Sequence, residues 1–455
     1  MDYRLKNPIH EEYPGLGAAS YVLALLFVAY IFSFVDRQIL SLLVGPIRED
    51  FGITDFEFSL LQGAAFAVIY TFAGLPLGRL ADRFSRRFLI SGSVMFWSLM
   101  TVACGMTRSF GQLFVARMGV GVGEAGLSPA AYSLILDSFR PQHAGYALSF
   151  YKLGVKIGAG LALVIGGVLY DFYAGIGTLE LPVIGAVAPW QATIMSVGAP
   201  GVLLAVLLLT VREPSRKALA TNADGSTSVE LPLSTVARFI WYRRRVYLTL
   251  FFGASMMAMA GYGNAAWYPE FLFRNYGLSK SEAGASYGTI VLTAGSLGVL
   301  FGAWFANQLS RRGHADAFVR TILITSVLTI VPSVAAPLAG DVQLTLLLLW
   351  PAEFFSASYI GVLAMAMVVI TPNQMRGQIT AMYIFVTNML GLAVGASVLA
   401  AFTDFVYQDE SLLNYSIASI NGLFYPAAAV LFLYCMPAYR QADSEAGQWD
   451  LASEQ

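Results

Sequence analysis

Hydrophobic positions gather into twelve long runs separated by short polar segments. They cover residues 18–44, 59–80, 88–107, 110–138, 144–170, 189–211, 246–273, 283–309, 315–336, 342–371, 377–402 and 417–436. A helix needs about 20 apolar residues to cross the hydrocarbon core of a bilayer, and every run reaches that length. The pattern therefore predicts an all-α polytopic membrane protein of twelve transmembrane helices.

Composition supports this pattern. Of the 455 residues, 57% are hydrophobic and only 12% charged, against about 25% charged in soluble domains. No single core could hide that much apolar surface from water, so lipid must solvate it. A net charge of −1 offers nothing to a nucleic acid. Cys104 and Cys435 lie in apolar runs without metal-like spacing, and His10, His143 and His314 all fall in polar segments. Neither a disulfide framework nor a zinc site is expected, and no cofactor or metal. An enzyme would need a nucleophile with its base, a metal cluster or a histidine pair inside the spans, and no histidine is there. A channel would need a re-entrant filter or an acidic ring. Residues 1–13 lack the apolar core of a cleavable signal peptide.

The basic residues orient the array. With the amino terminus inside, 19 of the 27 lysines and arginines fall in cytoplasmic segments, from Arg4 and Lys6 through Lys217 to Arg440. Only Arg48, Arg108, Arg274 and Lys280 fall on the other side. This imbalance places both termini in the cytoplasm, and the expected location is the cell (inner) membrane. Arg243, Arg244 and Arg245 suit anionic headgroups of the inner leaflet. The longest internal polar stretch, residues 212–245, contains Thr221 to Ser228 and divides the chain six spans and six. The expected organisation is a bundle over 1–211, a linker over 212–245, a second bundle over 246–436 and a tail over 437–455. A shift of 225 residues aligns 51–87 with 276–312, matching Gly52 with Gly277, Glu57 with Glu282, Gly63 with Gly288, and Ser85-Arg86-Arg87 with Ser310-Arg311-Arg312. Paired six-helix halves of this kind build one class of secondary transporter.

Gly78-Arg-Leu-Ala-Asp82-Arg83-Phe-Ser85-Arg86-Arg87, between the second and third runs, resembles the loop signature of the major facilitator superfamily, with Ser85 where glycine is usual. Its degenerate copy, 303–312, has Asn307 in place of the aspartate. Val35-Asp36-Arg37, Phe96-Trp97-Ser98-Leu99 and Val120-Gly-Val-Gly-Glu124-Ala are similar to the spinster-like group within it, which exports lysophospholipids or sphingoid phosphates. The anion:cation symporters of organic acids carry similar text. The resemblance implies that Asp82, Arg83, Arg86 and Arg87 form a conformational latch between the two halves. Gly154-Val-Lys156-Ile-Gly158-Ala-Gly160 resembles the antiporter glycine motif without its Gly-Pro step.

Charges inside spans are costly and mark functional candidates. The first half holds Asp36, Arg37, Arg117, Glu124, Lys152 and Lys156; the second holds Glu353, with Glu270 near the outer lip. Counting depth at about 1.5 Å per residue sets Asp36 level with Arg117 and Glu124 level with Lys156. Two layers of paired charge follow, with Arg37 and Lys152 as further cations facing the cavity. Asp36 and Glu124 are the expected proton-coupling residues; Arg37, Arg117, Lys152 and Lys156 are their partners or the substrate's. Glu353 is the acidic candidate of the second half. The surplus of one cation favours an anionic substrate. The expected protein is a proton-coupled, monomeric secondary transporter of a lysophospholipid- or sphingosine-phosphate-like amphiphile, working by alternating access around a cleft lined by spans one, four, seven and ten. The alternative cargo is a small organic anion such as a sugar acid. Its partners are that substrate, protons and membrane lipids.

Overall fold

In the computed structural model the described residues are 13–182, 184–216 and 232–453. The expectations that rest on Arg4, Lys6, His10, Lys217 and the 221–228 stretch lie outside them. Among the described residues, eleven helices are long and apolar enough to span a membrane. In chain order, with the fourth position left open, they are spans 1 (Leu16–Leu42), 2 (Asp55–Arg83), 3 (Arg86–Cys104), 5 (Gln142–Ile176), 6 (Pro189–Leu208) and 7 (Arg244–Tyr276). Spans 8 (Lys280–Arg311), 9 (Ala317–Leu338), 10 (Val342–Val369), 11 (Arg376–Tyr407) and 12 (Glu410–Ala446) complete the set.

The run at 110–138 is the exception. It forms two helices, Phe110–Ala125 and Leu127–Ser138, meeting at Gly126, and we call them together span 4. Arg117 and Glu124 dilute its apolarity. Glycines bring it against its neighbour: a Cβ on Gly123 would sit 2.7 Å from the Trp97 side chain, and one on Gly126 2.3 Å from Ser93 Oγ.

Spans 1–6 and 7–12 form two bundles. Span 1 packs on span 5 and span 3 on span 6; in the second half span 7 packs on span 12 and span 9 on span 10. Both described chain ends lie at one face, here called the terminal face, opposite the far face. The internal repeat is structural. Gly52 and Gly277 each close a helix in the left-handed region, with φ of 65° and 67°. Two residues later Thr54 and Ser279 each open the next helix with a capping box completed by Glu57 and Glu282. The same sequence of glycine stop and hydroxyl start turns the chain at the far face in both halves.

Two expected bounds shift. The described part of the tail, 437–453, is not separate, because the last helix runs on from Leu413 to Ser453. Arg440 pairs with Asp316, and the Tyr439 hydroxyl donates to the Ala366 carbonyl, tying that extension to the bundle. The linker's bounds shift, since span 6 ends at Leu208. Within it an amphipathic helix, Leu233–Tyr242, buries Val236 and Ile240, and span 7 begins at Arg244. Arg243 pairs with Glu445 at 2.5 Å rather than standing free for lipid. Among the described residues the fold is all-helical but for a small antiparallel hairpin between spans 5 and 6, Leu179–Leu181 with Gly185–Val187.

Candidate functional site

The halves meet tightly toward the far face. Span 5 crosses span 8 where glycines remove the side chains: a Cβ on Gly160 would lie 2.7 Å from the Gly288 carbonyl oxygen, and the reverse contact is also 2.7 Å. Gly63 of span 2 would similarly meet the Ala393 carbonyl of span 11 at 2.7 Å. Beyond these crossings an ionic network joins the halves. Arg274 donates two hydrogen bonds to Asp55 at 2.7 and 2.8 Å and one to Glu270 at 2.8 Å. Arg48 pairs with Asp55 at 2.9 Å and Glu410 at 2.6 Å, and Lys280 with Glu270 at 2.8 Å. Three cations and three carboxylates cancel, so Asp55, Glu270 and Lys280 are tolerated as buried charges.

Toward the terminal face the two halves part. No residue from 68 to 80 in span 2 is buried, and from 377 to 390 in span 11 only Ile379 is. Every hydrogen bond and ion pair between the halves, among those described, lies at the far face or near mid-span: Arg274–Asp55, Arg48–Glu410, Phe56–Asp404, Ser281–Asp171, Gln38–Ala265 and Lys156–Glu353. A ring contact, Phe72 with Phe385, joins spans 2 and 11 along the parting. The molecule is closed at the far face and open at the terminal one.

At the closed end of this cleft sit the charges of spans 1 and 4. Asp36, Arg117 and Glu124 are at most 2% exposed. The expected layers are not the observed ones. Glu124 pairs with Arg37 at 2.6 Å and accepts from the Ser33 hydroxyl at 2.5 Å. Arg117 donates to the backbone carbonyls of Asp36 and Leu61, at 3.2 and 3.4 Å. Lys156 pairs with Glu353 of the other half at 2.5 Å. Equal depth fixes height but not azimuth, and the helix of span 1 ends at Gln38 before a tighter turn, Ile39–Leu42. Asp36 consequently turns toward Trp97 and Thr101 of span 3, while Arg37, about 100° round the helix, reaches Glu124.

The Arg37 guanidinium lies 4.6–4.8 Å from the ring centres of Phe34, Phe66 and Tyr70, a cage that holds a cation where water is scarce. With Gln38, Gln62, Tyr262 and Arg117 it lines a cavity of about 60 Å³. Asp36 Oδ1 and Glu124 Oε1 are buried without a hydrogen-bond partner. The surplus positive charge resides at Lys152, exposed one turn from Lys156, with its ammonium 5.8 Å from the Tyr132 ring.

The four latch candidates divide. Asp82 and Arg83 are exposed and take part in no hydrogen bond or ion pair among the described residues. Arg86 is buried and pairs with Asp137 and Glu213 of its own half, also reaching Ser133 and the Pro214 carbonyl. Arg87 donates to the Val211 carbonyl. Arg86 and Arg87 thus hold the end of span 6 and the start of the linker, not the second half. Burial works against the Glu213 charge, but the Ser85 hydroxyl and the Arg86 guanidinium and backbone N–H overcome it and hold the carboxyl at about 2. The far-face network escaped the sequence reading, which counted Arg48, Arg274 and Lys280 only for orientation. Its signal was a run of acids and bases flanking the repeated Gly52 and Gly277 turns.

The chain matches known transporters over most of its length. Residues 26–396 match the model of the Major Facilitator Superfamily. An MFS-type efflux pump of Mycolicibacterium smegmatis is 27% identical over 409 residues, 88% of either chain. A probable L-galactonate transporter of Escherichia coli is 27% identical over 307 residues, 66% of this chain and 64% of the relative. Among solved structures, a bacterial homolog of the human lysosomal transporter Spinster, inward-facing and unoccupied, superposes with a TM-score of 0.76 at 26% identity, covering 95% of this chain and 98% of that one. The chain belongs to the Major Facilitator Superfamily and is an integral multi-pass secondary transporter, not an enzyme.

Proposed function

We propose that this protein is a proton-coupled transporter of an anionic amphiphile, a lysophospholipid or a sphingosine-phosphate-like lipid. The carrying observation is a charge cluster, buried Asp36, Arg117 and Glu124 with half-buried Arg37, at the closed end of a cleft open only to the terminal face. The positive-inside distribution makes that face cytoplasmic, so the conformation is inward-open. A carboxyl gains proton affinity when stripped of water and loses it beside an arginine. Alternating access changes both terms at Asp36 and Glu124, each of which keeps one oxygen without a hydrogen bond. Arg37, Arg117, Lys152 and Lys156 supply cations for the headgroup. The walls leading from the cluster, with Phe72, Leu75, Ile384 and Phe385 exposed, offer apolar surface to an acyl chain.

The test is reconstitution in liposomes with labelled lysolipid and an imposed pH gradient. Asp36→Asn should abolish concentrative uptake while leaving substrate exchange partly intact. A mutant that still accumulates substrate against its gradient would remove Asp36 from the mechanism. The second reading, a small organic anion, draws on the likeness to a galactonate transporter. Uptake of gluconate unaffected by excess lysolipid would favour it.

A further inference from the structure

Away from the far-face network, Lys156 of span 5 and Glu353 of span 10 tie the two halves together at 2.5 Å. The surrounding helix is shaped for the pair. Span 8 passes it in a π-helical turn, Val291–Gly295, a distortion frequent at functional sites. A Cβ on Gly295 would lie 3.0 Å from Glu353 Oε1 and 3.1 Å from the Lys156 stem. Any other residue at that position would crowd both partners.

Two features separate this pair from the buried carboxylates of spans 1 and 4, Asp36 and Glu124. The Lys156 and Glu353 side chains keep 19% and 14% of their surface exposed, so the pair can be reached from the cleft. One turn away on the same helix face, Lys152 stands exposed as a second cation. The titratable groups facing Glu353 are Lys156, Tyr268 of span 7, Tyr287 of span 8, Tyr359 of span 10 and Tyr425 of span 12. Lys156 is the one cation among them. A Glu353 carboxylate that lost this partner would stand as an unpaired charge between the two halves.

We propose that Lys156–Glu353 is an exchange site: the oxyanion of the cargo displaces Glu353 from Lys156, and the freed carboxylate takes up one proton from water. No heavy-atom bond changes; one ion pair is replaced by another, and Glu353 gains an O–H bond to a proton that solvent hydronium gives up. The exchange rests on the reading of the cargo as an anion. It adds a coupling step in the second half, and it cuts the mid-span tie between the halves at the moment the cargo arrives.

The test uses the full-length protein in detergent, weakly buffered with an indicator dye. The probes are 1-oleoyl-lysophosphatidylglycerol and gluconate, both ionised from about pH 6 to 8.5. Wild type should take up about one proton per probe bound and lose affinity as pH rises. Glu353→Gln should bind at least about tenfold tighter at pH 8, with proton uptake reduced and a flatter pH profile. Lys156→Met should bind at least about tenfold more weakly. The swap Lys156→Glu with Glu353→Lys should restore wild-type melting but not binding, which separates loss of the site from loss of the fold. Binding of the lysolipid alone assigns the oxyanion to a headgroup, and binding of gluconate assigns it to a free acid. The exchange is overturned if Glu353→Gln binds with wild-type affinity and proton count, even where concentrative transport persists. If wild type binds neither probe, the exchange and the anionic cargo fall together.

Discussion

Asp55→Asn tests the closure of the far face. Asp55 is wholly buried and receives Arg48 from its own half and Arg274 from the other. When the halves rock as rigid bodies, the Arg48 contact travels with Asp55 and cancels between states. Among the Asp55 contacts, the two Arg274 hydrogen bonds, 2.7 and 2.8 Å, are the ones broken by opening. Hydrogen bonds to charged groups contribute about 1.5–3 kcal/mol, and Arg274 keeps Glu270 as a fallback. The variant should therefore raise the open-to-closed ratio at the far face by about ten- to hundredfold. Ser41 is buried and lines the small cavity behind the network. Cys104 and Cys435 are also buried, and replacing both with alanine leaves a clean background. Labelling of Ser41→Cys by an impermeant maleimide added at the far face should accelerate by that factor in Asp55→Asn. An unchanged rate in folded protein would refute the idea that this network holds the face shut.

Two further substitutions probe the scaffold. Gly288→Leu places a side chain where a Cβ alone would sit 2.7 Å from the Gly160 carbonyl, so far-face closure and concentrative transport should both be lost. Gly261→Leu, with nothing within 4 Å of its Cβ, should leave both intact, and transport assays on the two variants check the contrast. Glu213→Gln removes the anion gripped by Ser85 and Arg86 and should lower the melting temperature by a few degrees. Because the Glu213 carboxyl is held at about 2, below its unfolded value, its stabilisation is full above roughly pH 4.3. That stabilisation is lost as pH falls through 2, so the melting difference between wild type and Glu213→Gln should be flat from about pH 5 to 8 and narrow in stronger acid.

The architecture was legible because lipid leaves little choice. Long apolar runs must be helices, and the 225-residue repeat reappears as paired glycine stops and capping boxes at Gly52–Glu57 and Gly277–Glu282. The residues of the charged site were legible too, since ions in apolar runs stand out. Their partners were not. Depth along a helix can be counted from sequence, but the azimuth of Asp36 depends on the tighter turn that follows Gln38. The Lys156–Glu353 pair joins residues 197 positions apart and depends on how closely span 8 passes beside both. That approach is set by Gly160, Gly288 and Gly295, whose role appears only in three dimensions. The partners of Arg86 were hidden for a similar reason, since Glu213 and Asp137 lie outside the loop signature and meet it only in the fold.

Simultaneous recording of proton and lysolipid fluxes in liposomes bears most directly on the buried cluster of spans 1 and 4. The wild-type protein should move the two in a fixed ratio, with lysolipid accumulating only while a pH gradient is maintained. Asp36→Asn should carry lysolipid down its gradient with a smaller or absent proton flux. Lysolipid movement with no accompanying protons in the wild type, at every gradient imposed, would contradict proton coupling through Asp36 and Glu124.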